Sequence, residues 1–304
     1  MSLGKPIPIG RITLLAALCA ETMSGCKQRG EAAPAAPLPA PEPLPATTKE
    51  LTKAQAAAPG APTLEPITAA PAATAPANVP EGMVYVPGGS FDMGPPREVT
   101  MGKPTQRMQV APFFLDRTEV TVAAYLACVQ SKGCTVSKHQ AGCNATAKQP
   151  LLQHPMNCIS KTRAEQYCAA QGKRLPSAAE WEFAARGTDG RIYPWGNDDA
   201  GEQVCWQGRD GAESKKTCPV GSFASGASPF GALDMAGNVA EWTSTPETET
   251  AAAGAFRTRG GGYPVEPIDL SSPETLMIRA DQWETFSAED AEPKLGVRCA
   301  KDNG

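Results

Sequence analysis

Histidine is almost absent from this 304-residue chain: His139 and His154 are the only two. No C-x2-C pair occurs. A tetrahedral zinc site built from Cys and His therefore lacks ligands at the usual spacing. No stretch approaches the ~18 consecutive apolar residues that span a bilayer. No basic run exists and the formal net charge is −4, so nucleic-acid binding finds no support. Aromatic residues are missing from 31 to 80, where Ala and Pro dominate. Such a segment cannot bury enough apolar surface to offset its ordering entropy. No cysteine lies between Cys218 and Cys299.

What is present begins with an export-like N-terminus. Lys5 and Arg11 precede a short apolar run, ITLLAALCA, and Met-Ser-Gly then leads to Cys26. Small residues before a cysteine read as a lipoprotein cleavage box, with Cys26 lipidated. The plainer alternative is an ordinary secretory peptide with an incidental cysteine. The expected organisation is a signal over 1–26, an Ala/Pro-rich disordered tether over 27–80, and one folded domain over 81–304. Proline spacing favours an extended tether, roughly 3.1 Å per residue where it is polyproline II. Aromatic residues start at Tyr85, and all five Trp lie between 181 and 283. A unit of that length can bury a sizeable core.

Of the ten cysteines, Cys19 would leave with the signal and Cys26 would carry lipid. The remaining eight are Cys128, Cys134, Cys143, Cys158, Cys168, Cys205, Cys218 and Cys299. An even count in an exported domain reads as four disulfides, and 105 pairings are possible.

Three helices are marked by caps. Thr121 precedes VAAYLACVQSK and Gly133 ends it. Thr162 and Glu165 form a T-x-x-E box before the helix holding Cys168, with Gly172 after it. Ser177 and Glu180 form another before AEWEFAAR, with Gly187 at its end. Strand signals are MVYVP, GSFDMG, FFLD and KLGVRCA. Residues 187–276 are rich in Gly, Pro and Asp and read as long ordered loops.

The motifs run in order: MVYVPGGSFDMG, FFLDRTEVT, HPMNCI, RLPSAAEWEFAARG, YPWG, PVGSF, GALDMAGNVAEW, RGGGY and GVRCA. Together they resemble the formylglycine-generating enzyme (sulfatase-modifying factor) family over about 81–304. The resemblance implies an irregular, loop-rich, disulfide-stabilised α+β fold akin to C-type lectins. It implies a Cys168–Cys299 bridge from the helix to the C-terminal strand. Spacing then suggests Cys205 with Cys218, Cys128 with Cys134, and Cys143 with Cys158.

The resemblance also implies a calcium ion, a hard cation that takes oxygen ligands. Its ligands would be the Asp234 and Glu241 side chains and the Gly237 and Val239 carbonyls. The alternative is a turn in which Glu241 pairs with an arginine. In the family an oxidising pair of cysteines after RGGS-[WY] binds copper and activates oxygen. Here PVEPIDLSSPETLMIRADQW follows Tyr263, and Val265 and Leu270 stand where the pair should be. Neither supplies the soft thiolate that copper(I) needs.

Arg174, Glu180, Trp181 and Glu182 read as architectural, as do Tyr193, Trp195 and His154. Trp242 and Tyr263 are groove candidates, with a core role as the alternative. The H-x3-H-x-E motif of related sulfoxide synthases is absent.

Three functions compete. The first is a lipid-anchored envelope relative without the cysteine pair, which binds a peptide, glycan or envelope protein. The second is an oxidoreductase converting a sulfatase cysteine to formylglycine. The third is another enzyme on the same scaffold, acting on a secreted peptide metabolite.

Overall fold

The computed structural model describes residues 75–95, 105–137, 141–198, 201–206, 217–247, 254–262 and 278–304. The expected signal and Cys26, most of the tether, His139, Tyr263, Val265 and Leu270 lie outside the described residues.

Three sheets form among these residues. Strands β1 (Met83–Val86), β4 (Phe113–Asp116) and β9 (Ala300–Asp302) make an antiparallel sheet with β4 central. Strands β2 (Gly89–Met93) and β3 (Gln106–Val110) form a ribbon. The third sheet has the order β7 (Trp283–Ser287), β6 (Ala255–Arg259), β5 (Ala240–Pro246), β8 (Leu295–Gly296), and β5 and β8 run parallel. Strands β5 and β6 fall inside the stretch read from sequence as loops. Both carry polar and charged residues that mask strand periodicity, and their faces are set by tertiary contacts.

Helix α1 (Val122–Gln130) is capped by Thr121, whose hydroxyl accepts from Ala124 N. It stops before Gly133. The Cys128–Cys134 bridge pulls the chain back, and the Gly133 and Cys134 amides both donate to the Cys128 carbonyl. Helix α2 (Lys161–Ala170) starts one residue before Thr162, and its cap is Ser160. The expected T-x-x-E box does not form: Thr162 Oγ1 donates to Glu289, and Glu165 pairs with Lys161. Helix α3 (Ala178–Arg186) has the expected box, with Ser177 and Glu180 serving each other's backbone donors.

Four disulfides staple the fold: Cys128–Cys134, Cys143–Cys158, Cys168–Cys299 and Cys205–Cys218. The third joins α2 to the segment before β9 across 131 residues of sequence. Closing so long a loop removes the most freedom from the unfolded chain.

Helices α1 and α2 pack with β5 and β8 around Tyr125, Ile159, Trp242 and Val297. Trp242 is fully buried there and its Nε1 donates to the Ile159 carbonyl, so it lines no groove. Helix α3 covers the other face of β5 and β6 and also meets β2 and β3, through Trp181 and Phe183. A third cluster gathers Tyr193, Val204, Ala236 and Ile278.

Candidate functional site

The interface between α3 and the β5–β6 sheet is filled with charge rather than hydrocarbon. Strand pairing sets Glu241 on β5 opposite Arg259 on β6, and Arg259 opposite Trp283 on β7. Helix α3 lays Trp181, Glu182 and Arg186 over them. Glu182 lies between two guanidiniums, with Arg186 Nη1 at 2.6 Å and Arg259 Nη1 at 2.8 Å, all three fully buried. Burial pulls the Arg259 pKa below its ordinary value, against the opposing charge of Glu182.

Glu241 is held by Arg298, which donates from Nε and Nη2, and by Trp181 Nε1 at 2.6 Å. Arg298 also donates to the carbonyls of Asp116 and Leu233. Burial alone would lower the Arg298 pKa, but Glu241, with Glu119 and Asp234 nearby, outweighs it and holds the pKa above its ordinary value. Beside this pair lie Glu119 and Asp234. Glu119 is 2% exposed, and among the described residues neither of its carboxyl oxygens meets a well-formed hydrogen-bond donor. Burial, then the Asp234 charge, push its pKa well above the usual carboxylate range. Burial also raises Asp234, although its carboxylate accepts the Gly221 amide at 2.5 Å.

This geometry decides how the expected calcium ligands are used. Asp234 sits at φ +56° and Gly237 at φ +72°, so the turn between them is tight. A Cβ on Gly237 would collide with the Cys205 carbonyl. Glu241, however, lies on strand β5 with both oxygens facing Arg298. An ion placed there would share its carboxylate with a guanidinium of like sign. The residues as arranged do not fit calcium, and Glu241 follows the arginine-pair alternative. Among the described residues no three His, Cys, Asp or Glu side chains gather to hold a metal.

The other expected residues are structural. Arg174 bridges Glu180 and Asp302. Tyr193 stacks on Trp195 with centroids 4.8 Å apart. His154 Nδ1 lies 2.9 Å from Thr217 Oγ1. Every described cysteine is in a disulfide, so none is free as a thiolate. A cleft of about 150 Å³ beside Phe91 and Asp189 contains Arg186, whose donors are already taken by Glu182 and three carbonyls.

Sequence reading passed over Glu119, Arg298, Arg257, Arg259 and Trp283 as individual residues. Glu119, Arg298 and Arg259 lie inside the motifs FFLDRTEVT, GVRCA and RGGGY, whereas Arg257 and Trp283 lie outside them, and only folding brings the five together.

Comparison with known proteins agrees with this architecture. An inactive C-alpha-formylglycine-generating enzyme 2 of Bos taurus is 35% identical over 161 residues. That match covers 50% of this chain and 52% of the relative, so it spans about half the relative's length. A formylglycine-generating enzyme of Streptomyces coelicolor is 30% identical over 311 residues, covering 78% of this chain and 95% of that protein. The solved structure of PvdO from Pseudomonas aeruginosa superposes with a TM-score of 0.58 at 22% identity. It covers 72% of this chain and 94% of its own, and shares the fold. The pattern described as "Sulfatase-modifying factor enzyme 1-like domain" matches residues 68–303, and with the ordered motifs and the disulfide-stapled α+β fold it makes this chain a member of that family.

Proposed function

We propose that this chain is an exported, lipid-anchored member of the family that has exchanged oxidation for binding. The observation that supports it is the fate of its thiols. All eight cysteines from Cys128 to Cys299 are joined in pairs. The sequence after Tyr263 offers Val265 and Leu270 where the family's pair would stand. Copper(I) chemistry needs soft thiolate ligands, and no unpaired cysteine is left in the folded domain to supply them.

The family's ordered motifs are otherwise present, on an α+β fold stapled by the long Cys168–Cys299 bridge. Its ligand would be a peptide, a glycan or an envelope protein. Cys26 would carry the lipid, with 27–80 as the spacer. That a relative carries the word "inactive" in its name is consistent with this reading.

The test is direct. Purified protein is incubated with a sulfatase-type cysteine peptide, copper, reductant and oxygen, and the peptide is weighed. No formylglycine is expected. Copper-dependent conversion above a buffer control would refute the reading. For the anchor, Cys26→Ala should move the protein from the membrane fraction to the soluble one.

A further inference from the structure

Two arginines on the β6–β7 face, beside Trp283, have donors that nothing among the described residues accepts. Arg257, Arg259 and Trp283 share one face, because Arg259 pairs across the strands with Trp283 and Arg257 with Thr285. The Trp283 ring has the Arg257 guanidinium carbon 5.1 Å from its centroid and that of Arg259 5.4 Å away. Arg259 is 1% exposed, while Arg257 and Trp283 are half-buried.

Arg259 commits Nη1 to Glu182 and to the Ala280 carbonyl at 3.3 Å. Arg257 commits Nη2 to the Glu247 carbonyl at 3.0 Å. That leaves Arg259 Nε and Nη2, and Arg257 Nε, buried without a hydrogen-bond partner among the described residues.

The local charges do not balance. Glu182 is shared by Arg186 and Arg259. Asp281 is held by Arg279 through both oxygens, at 2.9 and 3.2 Å. Among the described residues, four guanidiniums here face two carboxylates. The ring offsets part of this. A cation over an aromatic face gains a modest attraction. Taking an ion out of water costs more than that, and each unmade hydrogen bond adds to the cost. Stacking on Trp283 is too small to offset both.

We propose that Arg257, Arg259 and Trp283 form a binding site for a carboxylate, entered at the half-exposed edge between Arg257 and Trp283. This rests on the binding reading above and names its ligand class as an acidic peptide. A carboxylate matches the orphan donors because it is planar and accepts N–H bonds at both oxygens, the geometry guanidiniums recognise best. Trp283 then serves as the floor against which the bound group and the two guanidiniums are held. The site adjoins Gly260–Gly262, at the start of the segment where the family keeps its oxidising cysteines.

The experiment is calorimetric titration of the full chain with tetraglutamate, with tetraglutamine as the neutral control and sodium acetate as competitor. Saturable binding of tetraglutamate alone is expected, with displacement by acetate and weakening by added salt. Arg257→Gln should weaken binding about tenfold or more, and Arg257→Lys should restore only part of it, since lysine keeps the charge and loses the fork. Arg257 is half-exposed, so its variants should melt like the wild type; Trp283→Phe, with altered stacking, should weaken binding less than Arg257→Gln. No saturable binding of tetraglutamate, equal binding of tetraglutamine, indifference to acetate, or unchanged affinity in Arg257→Gln would each overturn the site. None of these results bears on formylglycine formation, so the two readings fail separately.

Discussion

The Glu241 carboxylate and the Arg298 guanidinium meet in two-point contact inside the protein, with Nη2 to Oε1 at 2.7 Å and Nε to Oε2 at 2.9 Å. Neither is more than 1% exposed. The pair ties β5 to the residue beside Cys299, and through the Asp116 carbonyl to the end of β4. Three separate stretches of chain therefore depend on one contact.

Breaking it from one side should be costly. Glu241→Gln or Arg298→Met leaves an uncompensated buried charge, a loss of about 3–5 kcal/mol. Replacing both by Met removes the charge altogether and should cost less than the sum of the single variants. Urea unfolding of the three variants measures this. Single variants within about 0.5 kcal/mol of wild type would show that the contact contributes little.

Chelation bears on the same residues. Because Arg298 occupies Glu241, EDTA should leave the melting temperature unchanged and added calcium should not raise it. A ligand held only by the folded state stabilises by mass action, so a calcium-dependent rise would restore the ion at Asp234, Gly237, Val239 and Glu241.

The Cys168–Cys299 bridge should matter most among the disulfides. Its loop is the longest, and in the chain-entropy account stabilisation grows with loop length. Replacing both cysteines by Ala should cost more than the same change at Cys128 and Cys134, which lie six residues apart. Differential scanning calorimetry of the two variants ranks them, and the reverse order would contradict the entropic account here.

Glu119 should make stability depend on pH in an uncommon direction for a carboxyl group. Its folded pKa is raised, by burial first and by Asp234 next, and Asp234 is raised as well. The protonated form suits the folded state. Its contribution is complete below the ordinary carboxylate range and is lost as pH rises through the folded value. Glu119→Gln keeps the shape without the charge, so its stability relative to wild type should improve between pH 5 and pH 8. Parallel curves in urea at the two pH values would exclude this role.

Some of this was legible in the residues. The Thr121 and Ser177 caps formed as read, because capping is local chemistry between a hydroxyl and an amide three residues on. The ordered motifs pointed to the family, and the disulfide-rich α+β character followed from them. The Thr162 box failed because Ser160 offered an earlier cap and Glu289, distant in sequence, took the Thr162 hydroxyl. Strands β5 and β6 do not stand out in the sequence because polar and charged residues occupy the face that α3 covers and mask an apolar period of two.

The amino-acid order by itself determined the Thr121 and Ser177 caps, the cysteine supply and the absence of cysteine between Cys218 and Cys299. Only the tertiary structure decided that Glu241 faces an arginine, that Trp242 is core, and that Arg257 and Arg259 flank Trp283. The physical reason is range. A cap closes within one turn of chain, whereas a buried charge takes its partner from whichever strand lies opposite, and strand pairing is set by the whole fold.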